Sequence, residues 1–145
     1  MKILVSKCLL GHPCRYDGKD NKCPAVTELL SKHEAVPVCP EQLGGLPTPR
    51  PPSEINGDRV VAKTGVDVTA EFAIGGQKAL QIARESGVCA CILKARSPSC
   101  GCGRVYDGSF SHTLRDGDGV TASLLKQNGY SVFTEEDVES GTVSF

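Results

Sequence analysis

The chain has 145 residues, of which 39% are hydrophobic and 23% charged, and its formal net charge is −1. These values are typical of a globular protein, and we expect a single domain over residues 1–145. The near-neutral charge gives no electrostatic reason to expect a nucleic-acid partner or an anionic membrane surface. No apolar run is long enough to cross a bilayer, and the N-terminus turns polar too soon for a signal peptide. We therefore expect a cytoplasmic protein.

The N-terminal third of the chain is predicted to alternate strands with a loop and a helix. Lys2–Ser6 has the pattern of a strand, and the Gly- and Pro-containing residues 9–21 indicate an irregular loop. Pro24 at a first helical position predicts a short helix that runs to His33. Ala35–Val38 then indicates a second strand.

The middle of the chain is predicted to contain a long loop, a hairpin and the longest helix. Residues 40–56 are rich in proline and lack periodicity, which indicates a stiff loop of the kind that often carries function. Arg59–Ala62 and Val66–Val68 are predicted to pair as a hairpin. A helical pattern over Val68–Glu85 stops at Gly87. A Gly-Gly pair inside that helix marks a close packing contact.

The last third is predicted to return to strands that alternate with helices. Val88–Leu93 has the pattern of a buried strand, and Val105–His112 indicates short extended pieces. A helix over Val120–Gln127, a strand over Tyr130–Phe133 and a terminal helix capped by Thr134 complete the chain. This alternation predicts an α/β fold, with a small, mainly parallel, Rossmann-like sheet and helices on both faces.

Cysteine is unusually frequent. The eight cysteines are Cys8, Cys14, Cys23, Cys39, Cys89, Cys91, Cys100 and Cys102. In a reducing compartment, clustered cysteines bind metal or react instead of forming disulfides. No C-x2-C pair occurs, which argues against a zinc ribbon or a thioredoxin-type site. A metal site would therefore combine cysteines that are distant in sequence.

Three cysteines lie in loops just past the ends of predicted strands: Cys8, Cys39 and Cys100. In open α/β sheets, ligands bind outside the carboxyl ends of the strands, so these three thiols are predicted to meet at one edge of the sheet. Three thiolates with no obvious fourth suit a cubane iron–sulfur cluster with one iron left open. A zinc ion held by the same thiolates is the alternative.

The other cysteines allow simpler interpretations. Cys89 and Cys91 lie two apart in a predicted strand, and we expect both to be buried packing residues. Cys14 or Cys23 could supply a fourth ligand from the first long loop. Cys102 is also a candidate, although one turn rarely directs two thiols inward.

The loop that contains Cys100 is Lys94-Ala95-Arg96-Ser97-Pro98-Ser99-Cys100-Gly101-Cys102-Gly103. Its hydroxyls, cations and backbone N–H groups favour a thiolate or a cluster sulfur, although a plain tight turn is the alternative. Glu41 follows Cys39-Pro40, so it is a candidate general acid or base, or else a solvated loop residue. Ser97 could orient a water or substrate, or cap its own loop.

Other polar residues are expected to have structural roles. Asp17, Arg50, Glu54 and Arg96 are predicted to contribute to an internal set of ion pairs. The three histidines, His12, His33 and His112, lack ligand spacing and are expected at the surface or in loops. A tyrosine-phosphatase loop at Cys8 is excluded, because its C-x5-R spacing would put arginine at position 14.

Several ordered motifs together resemble the thiouracil desulfidase family. They are Ser6-x-Cys8-Leu9-Leu10-Gly11, Cys14-Arg15-Tyr16-Asp17-Gly18, Val38-Cys39-Pro40-Glu41-x-Leu43-Gly44-Gly45-Leu46, Pro49-Arg50-x-Pro52-x-Glu54, Ser97-Pro98-Ser99-Cys100-Gly101, Asp107-Gly108-Ser109-Phe110 and Gly117-Asp118-Gly119-Val120-Thr121. The resemblance covers nearly the whole chain. It implies a [4Fe-4S] cluster on Cys8, Cys39 and Cys100 with one open iron, and catalytic roles for Glu41 and Ser97.

The resemblance also implies an activity: desulfuration of a small thiolated base such as 2-thiouracil to the oxo base and sulfide. The expected chemistry is hydrolytic and non-redox, because oxygen replaces sulfur at constant oxidation level. A protein that carries a cluster or sulfide to a partner is the alternative function. A structural zinc module is a more distant one.

Overall fold

The computed structural model describes residues 1–145. The strands are β1 (Lys2–Ser6), β2 (Glu34–Val38), β3 (Ser53–Asn56), β4 (Arg59–Ala62), β5 (Ala90–Leu93), β6 (Arg104–Tyr106), β7 (Leu114–Asp116) and β8 (Val132–Thr134). The α-helices are α1 (Pro24–Leu30), α2 (Pro40–Leu43), α3 (Thr69–Ser86), α4 (Val120–Gln127) and α5 (Glu135–Ser140). A 3₁₀ helix covers Lys7–Leu10. None of these helices has the length and apolar character needed to cross a membrane.

The central sheet is parallel and has four strands in the order β2-β1-β5-β8. In its register Ser6 lies beside Val38, and Val5 lies beside Ile92. Strands β2, β1 and β5 therefore end at the same edge. The predicted α/β fold with a mainly parallel sheet is confirmed.

Side chains of the central strands alternate between the two faces of the sheet, as the pleat requires. Ile3 and Val5 of β1 pack with α1 and α5, whereas Leu4 packs with α3 and α4. Each face buries an apolar cluster under a pair of helices. The prediction of helices on both faces is confirmed.

One local prediction in the middle of the chain is wrong, and another is confirmed only in part. The expected loop over residues 40–56 begins with helix α2 and ends with strand β3. Helix α2 is a single turn, too short to show periodicity, although Pro40 suits its first position. The predicted pairing of residues 59–62 with residues 66–68 is present: an antiparallel bridge joins Val61 and Asp67, and backbone N–H groups of Ala62 and Val68 donate to the carbonyl oxygens of Val66 at 2.8 Å and of Val60 at 2.9 Å. The longer pairing of β4 is with β3, which the sequence did not predict.

The remaining elements lie close to their predicted positions. Helix α3 ends at Gly87, whose φ of 67° is left-handed. Helix α4 covers the predicted Val120–Gln127. The terminal helix has the predicted cap at Thr134, which forms a capping box with Asp137. Extended pieces after residue 103 form a separate antiparallel pair, β6-β7.

Candidate functional site

A cavity of about 430 Å³ lies at the carboxyl ends of the central strands. Four cysteines line it: Cys8, Cys14, Cys39 and Cys100. Cys8 follows β1, Cys39 follows β2 and Cys100 lies in the loop after β5. Because these strands are neighbours in the sheet, they bring three thiols from distant segments to one place.

Each of the three thiols is held by a different local structure. Cys8 lies in the 3₁₀ helix that follows β1 without a break. Cys39 has extended backbone and occupies the N-cap position of α2. Cys100 lies in the loop between β5 and β6, and it is 6% exposed. The predicted placement of these residues beyond strand ends matches the structure.

The Cys100 loop is held by hydrogen bonds within itself and to α4. The Ser97 hydroxyl oxygen accepts the backbone N–H groups of Ser99 at 3.1 Å and of Cys100 at 3.0 Å. The Ser99 hydroxyl bonds that of Thr121 at 2.9 Å. Gly101 has no room for a side chain, because a Cβ there would lie 2.6 Å from the Ser97 carbonyl oxygen. Ser97 thus caps its loop while also lining the cavity.

The start of this loop is fixed by a buried carboxylate. Glu135 is 8% exposed and accepts the backbone N–H of Ala95 at 2.6 Å. Its other oxygen pairs with Lys94 Nζ at 2.7 Å. The Lys94 backbone N–H donates to the Ser6 hydroxyl at 2.9 Å, which ties the ends of β1 and β5 together. Lys94 is thereby held in the lining of the cavity.

The thiols at this edge differ in how easily they ionise. A hydrogen bond from the Cys14 thiol lowers the pKa of Cys39 to about 7 and also lowers the pKa of Cys8. The same two contacts raise the pKa of Cys14 far above its ordinary value. Burial raises the pKa of Cys100. Cys8 and Cys39 are therefore the thiols of this set that ionise most readily, and Cys14 and Cys100 ionise least readily.

Glu41 lies in the first turn of α2, next to Cys39, and its side chain is 18% exposed. Its Oε1 accepts a hydrogen bond from Arg50 Nε at 3.0 Å. The Arg50 side chain is 5% exposed, so this ion pair is largely removed from water. The sequence anticipated an ion-pair set that includes Arg50, but the Glu41 partner comes from the fold.

The other polar residues named from the sequence divide among separate contacts. Arg15 pairs with Asp17 at 3.1 Å, and Arg96 pairs with Glu136 at 2.9 Å. Glu54 instead accepts backbone N–H groups of the loop after β6. The cations that line the cavity are Lys7, Arg15, Arg50, Lys63, Lys94 and Arg96. They outnumber the lining carboxylates Glu41 and Glu54 and so stabilise thiolates there.

The remaining cysteines lie away from the cavity lining. Cys23 is buried at the N-cap of α1, and Cys102 is half-buried with its thiol 3.6 Å from the Val132 carbonyl oxygen. Cys91 is buried in the core as predicted. The prediction that Cys89 is buried is wrong: it precedes β5 at the amino end of the sheet and is exposed.

Sequence reasoning missed one wall of the cavity. Tyr106, Phe110 and His112 come from the β6-β7 ribbon and line the cavity. Glu54 Oε1 holds this loop by accepting the N–H groups of Gly108 at 3.0 Å and of Phe110 at 3.1 Å. The Asp107-Gly108-Ser109-Phe110 motif was the signal for this wall, but the sequence alone assigned it no role.

All three histidines lie in loops or turns, as expected. His12 and His112 are exposed in loops, and His112 also packs edge-on against Tyr106 at the cavity. His33 is half-buried, stacks edge-on with Phe145, and leaves its Nδ1 without a hydrogen bond.

Comparisons with known proteins agree with this architecture. A family model described as 2-thiouracil desulfurase matches residues 3–137. The uncharacterized protein YbbK of Bacillus subtilis strain 168 is 44% identical over 146 residues, which covers 94% of this chain and 97% of YbbK. The solved structure of the [4Fe-4S]-dependent thiouracil desulfidase TudS is 45% identical, with a TM-score of 0.89 over 96% of this chain and 93% of that one.

The fold and the cavity define a class of α/β proteins in which adjacent parallel strands present thiols to one pocket. Within that class, the chain belongs to the 2-thiouracil desulfurase family. The resemblance predicted from the separated motifs is therefore confirmed.

Proposed function

We propose that this protein is a [4Fe-4S]-dependent desulfidase that removes sulfur from a thiocarbonyl base such as 2-thiouracil. The family match and the likeness to TudS support this activity. The observation that carries the proposal is the convergence of Cys8, Cys39 and Cys100 on one cavity.

The cluster would be held by the thiolates of Cys8, Cys39 and Cys100. Thiolate is the ordinary protein ligand of iron–sulfur clusters, and binding requires a deprotonated sulfur. The side chains form no group of three or more His, Cys, Asp or Glu of the kind that holds a single metal ion. A cubane distributes its ligands over different irons, so its thiols need not lie as close together as those around one ion.

The proposed reaction is hydrolytic: one water is consumed, C=S becomes C=O, and one hydrogen sulfide leaves, with no external electron. When bound, the cluster supplies an open iron that acts as a Lewis acid toward soft sulfur. Glu41 takes a proton from the attacking water through the oxygen that Arg50 leaves without a hydrogen bond. Ser97 orients the water or the substrate, because its oxygen already accepts two N–H groups and its proton is available to donate.

The cavity favours an enzyme over a protein that carries a cluster or sulfide to a partner. A carrier presents its cluster at a surface that another protein can reach. Here the thiols line a space of about 430 Å³, which lies within the range of roughly 300–1,000 Å³ of small-molecule sites. Cys100 is buried, and aromatic side chains of Tyr106 and Phe110 form a wall against which a planar base can lie.

Anaerobic reconstitution tests the proposal. The protein is loaded with iron and sulfide, incubated with 2-thiouracil, and assayed for uracil and released sulfide. We expect equal amounts of both products, and none from metal-free protein. A fully loaded protein that leaves 2-thiouracil intact but transfers sulfide to an acceptor protein would establish the carrier function instead.

A further inference from the structure

We propose that Arg50 is a positioning residue for the desulfidase reaction, which holds the Glu41 carboxylate in the direction needed to activate water. This inference rests on the proposed function, in which Glu41 is the base. Its basis is the geometry of the guanidinium group, which meets three separate segments of the chain at the cavity.

The guanidinium uses its nitrogens on different partners. Nε donates to Glu41 Oε1 at 3.0 Å, and Nη2 donates to the Cys14 carbonyl oxygen at 2.9 Å. Nη1 donates to the Pro47 carbonyl oxygen at 3.2 Å and to the Thr48 hydroxyl at 3.0 Å. Because the fork is planar and rigid, these bonds fix its orientation, and the orientation of Nε fixes Glu41.

Burial makes this contact more than a surface ion pair. The Arg50 side chain is 5% exposed and that of Glu41 is 18% exposed. Surface pairs contribute little because water and salt screen them, and mobile side chains must be ordered to form them. Here the arginine is already ordered by its other hydrogen bonds, so little additional entropy is lost when Glu41 is held.

The arrangement leaves one carboxylate oxygen for chemistry. Arg50 bonds Glu41 through Oε1, and Oε2 makes no hydrogen bond within the chain. The carboxylate also lies on the first turn of α2, two residues after Cys39. Glu41 and Arg50 both line the cavity beside the thiols, so the oxygen that Arg50 leaves free is available to a water molecule there.

The Cys14 contact extends the same support to the thiols. The Cys14 carbonyl oxygen accepts from Arg50 at 2.9 Å, and the Cys39 thiol donates to the same oxygen at 3.9 Å. Through one rigid side chain, Arg50 thus connects the Glu41 carboxylate to the backbone of Cys14, which lies beside the other cavity thiols. A lysine would keep the positive charge but could not make the same set of planar contacts.

A double-mutant cycle with Arg50→Lys and Glu41→Gln tests the inference. In the loaded enzyme we expect Arg50→Lys to lower kcat by about 10- to 100-fold, the scale for a misplaced reacting group, with KM changed less than about threefold. Iron content and visible absorbance should stay at the parent level. In the Glu41→Gln background the same substitution should have almost no further effect on kcat, because the oriented base is already lost.

Several outcomes would overturn the inference. Equal losses of kcat in both backgrounds would mean that Arg50 acts independently of Glu41, and an unchanged kcat would mean that its orientation is irrelevant. If Arg50→Lys fails to hold iron, Thr48→Val replaces it in the cycle. That variant removes one acceptor of the fork and should show a smaller, equally non-additive loss.

A crystal structure of the Arg50→Lys variant gives a readout that is independent of activity. We expect the Glu41 carboxylate to shift or to occupy more than one rotamer, and a Glu41 held as in the parent would overturn the inference. Failure of the proposed function is a separate result, since it would appear as loaded parent protein that releases no sulfide from 2-thiouracil.

Discussion

Gly44 and Gly75 lie backbone against backbone where the end of α2 crosses the middle of α3. A methyl group on Gly75 would overlap the Pro40 carbonyl oxygen, and one on Gly44 would overlap the Glu71 carbonyl oxygen. Only glycine permits this approach. Since Cys39 is the N-cap of α2 and Glu41 lies in its first turn, the glycine contact sets the position of both proposed functional residues.

The glycine contact predicts that Gly75→Ala destabilises the fold and moves α2. The added Cβ would overlap backbone atoms, which cannot rotate away. Overpacking typically costs roughly 1–3 kcal/mol, and we expect the free energy of unfolding to fall by at least the upper value. Bound iron should fall as well. Gly76→Ala is the matched control in the same helix, because its Cβ would meet a side-chain atom, Thr121 Oγ1, at 3.3 Å. Urea unfolding and iron analysis compare the two, and equal behaviour would contradict the close-contact account.

The ligand assignment predicts opposite results for two cysteines in one loop. Cys100→Ala should abolish cluster absorbance and activity, because two thiolates hold a cubane poorly. Cys102→Ala should keep both, since its thiol lies outside the cavity lining and contacts the Val132 carbonyl oxygen. Iron and acid-labile sulfide per chain are measured in both variants after anaerobic reconstitution. Loss of iron in Cys102→Ala would show that the ligand set is wrong.

The base assignment predicts that Glu41→Gln keeps the cluster and loses the reaction. General-base catalysis typically contributes a factor of about 10²–10⁴, so sulfide release should fall by that amount while iron content is unchanged. Ser97→Ala should lower the rate less, and it also removes the acceptor of two loop hydrogen bonds, so its iron content must be checked. Glu28→Gln, an exposed change on α1, is the control for charge. A parent-like rate in loaded Glu41→Gln would make the carboxylate a bystander.

The lowered pKa of Cys39 predicts that the reactivity of its thiol in the metal-free protein depends on pH. The hydrogen bond from Cys14 lowers the pKa of Cys39 to about 7, so alkylation of Cys39 should rise steeply as the pH passes through that value. Removing the donor in Cys14→Ala should raise the pKa and move the rate profile to higher pH.

The alkylation experiment is best done with Cys89→Ala as the parent, because Cys89 is exposed and would react on its own. Mass spectrometry then identifies the labelled thiol at each pH. Cys91 is the internal control, since burial raises its pKa to about 12 and it should stay unlabelled. An unchanged profile in the Cys14→Ala variant would mean that Cys14 does not set the ionisation of Cys39.

Replacement of Cys89 and replacement of Cys91, near the start of β5, should change the free energy of unfolding by different amounts. Cys91→Ala removes a fully buried side-chain atom and should destabilise by roughly 1–2 kcal/mol. Cys89→Ala should change stability by less than about 0.5 kcal/mol, as expected for an exposed position. Thermal unfolding measures both, and both variants should retain the cluster. Loss of brown colour in either one would count against the assigned ligands.

The sequence alone determined the features that depend on local pattern. Apolar runs and turn residues located β1, β2 and β5, and the positions of Cys8, Cys39 and Cys100 just beyond them predicted a shared edge. The inference succeeded because parallel strands that are neighbours in one sheet must end on the same side. Caps such as Thr134 were equally local and were found in the same way.

Tertiary structure decided everything that depends on segments meeting across the chain. Helix α2 is a single turn with no periodicity to detect, and its place is set by contact with α3. The Arg50–Glu41 bond and the place of Cys14 in the cavity lining depend on how separate loops pack. Cys89 and Cys91 are only two residues apart, but Cys89 precedes β5 and is exposed, whereas Cys91 lies within β5 and is buried. The helices that pack on the sheet determine which of the two thiols is covered.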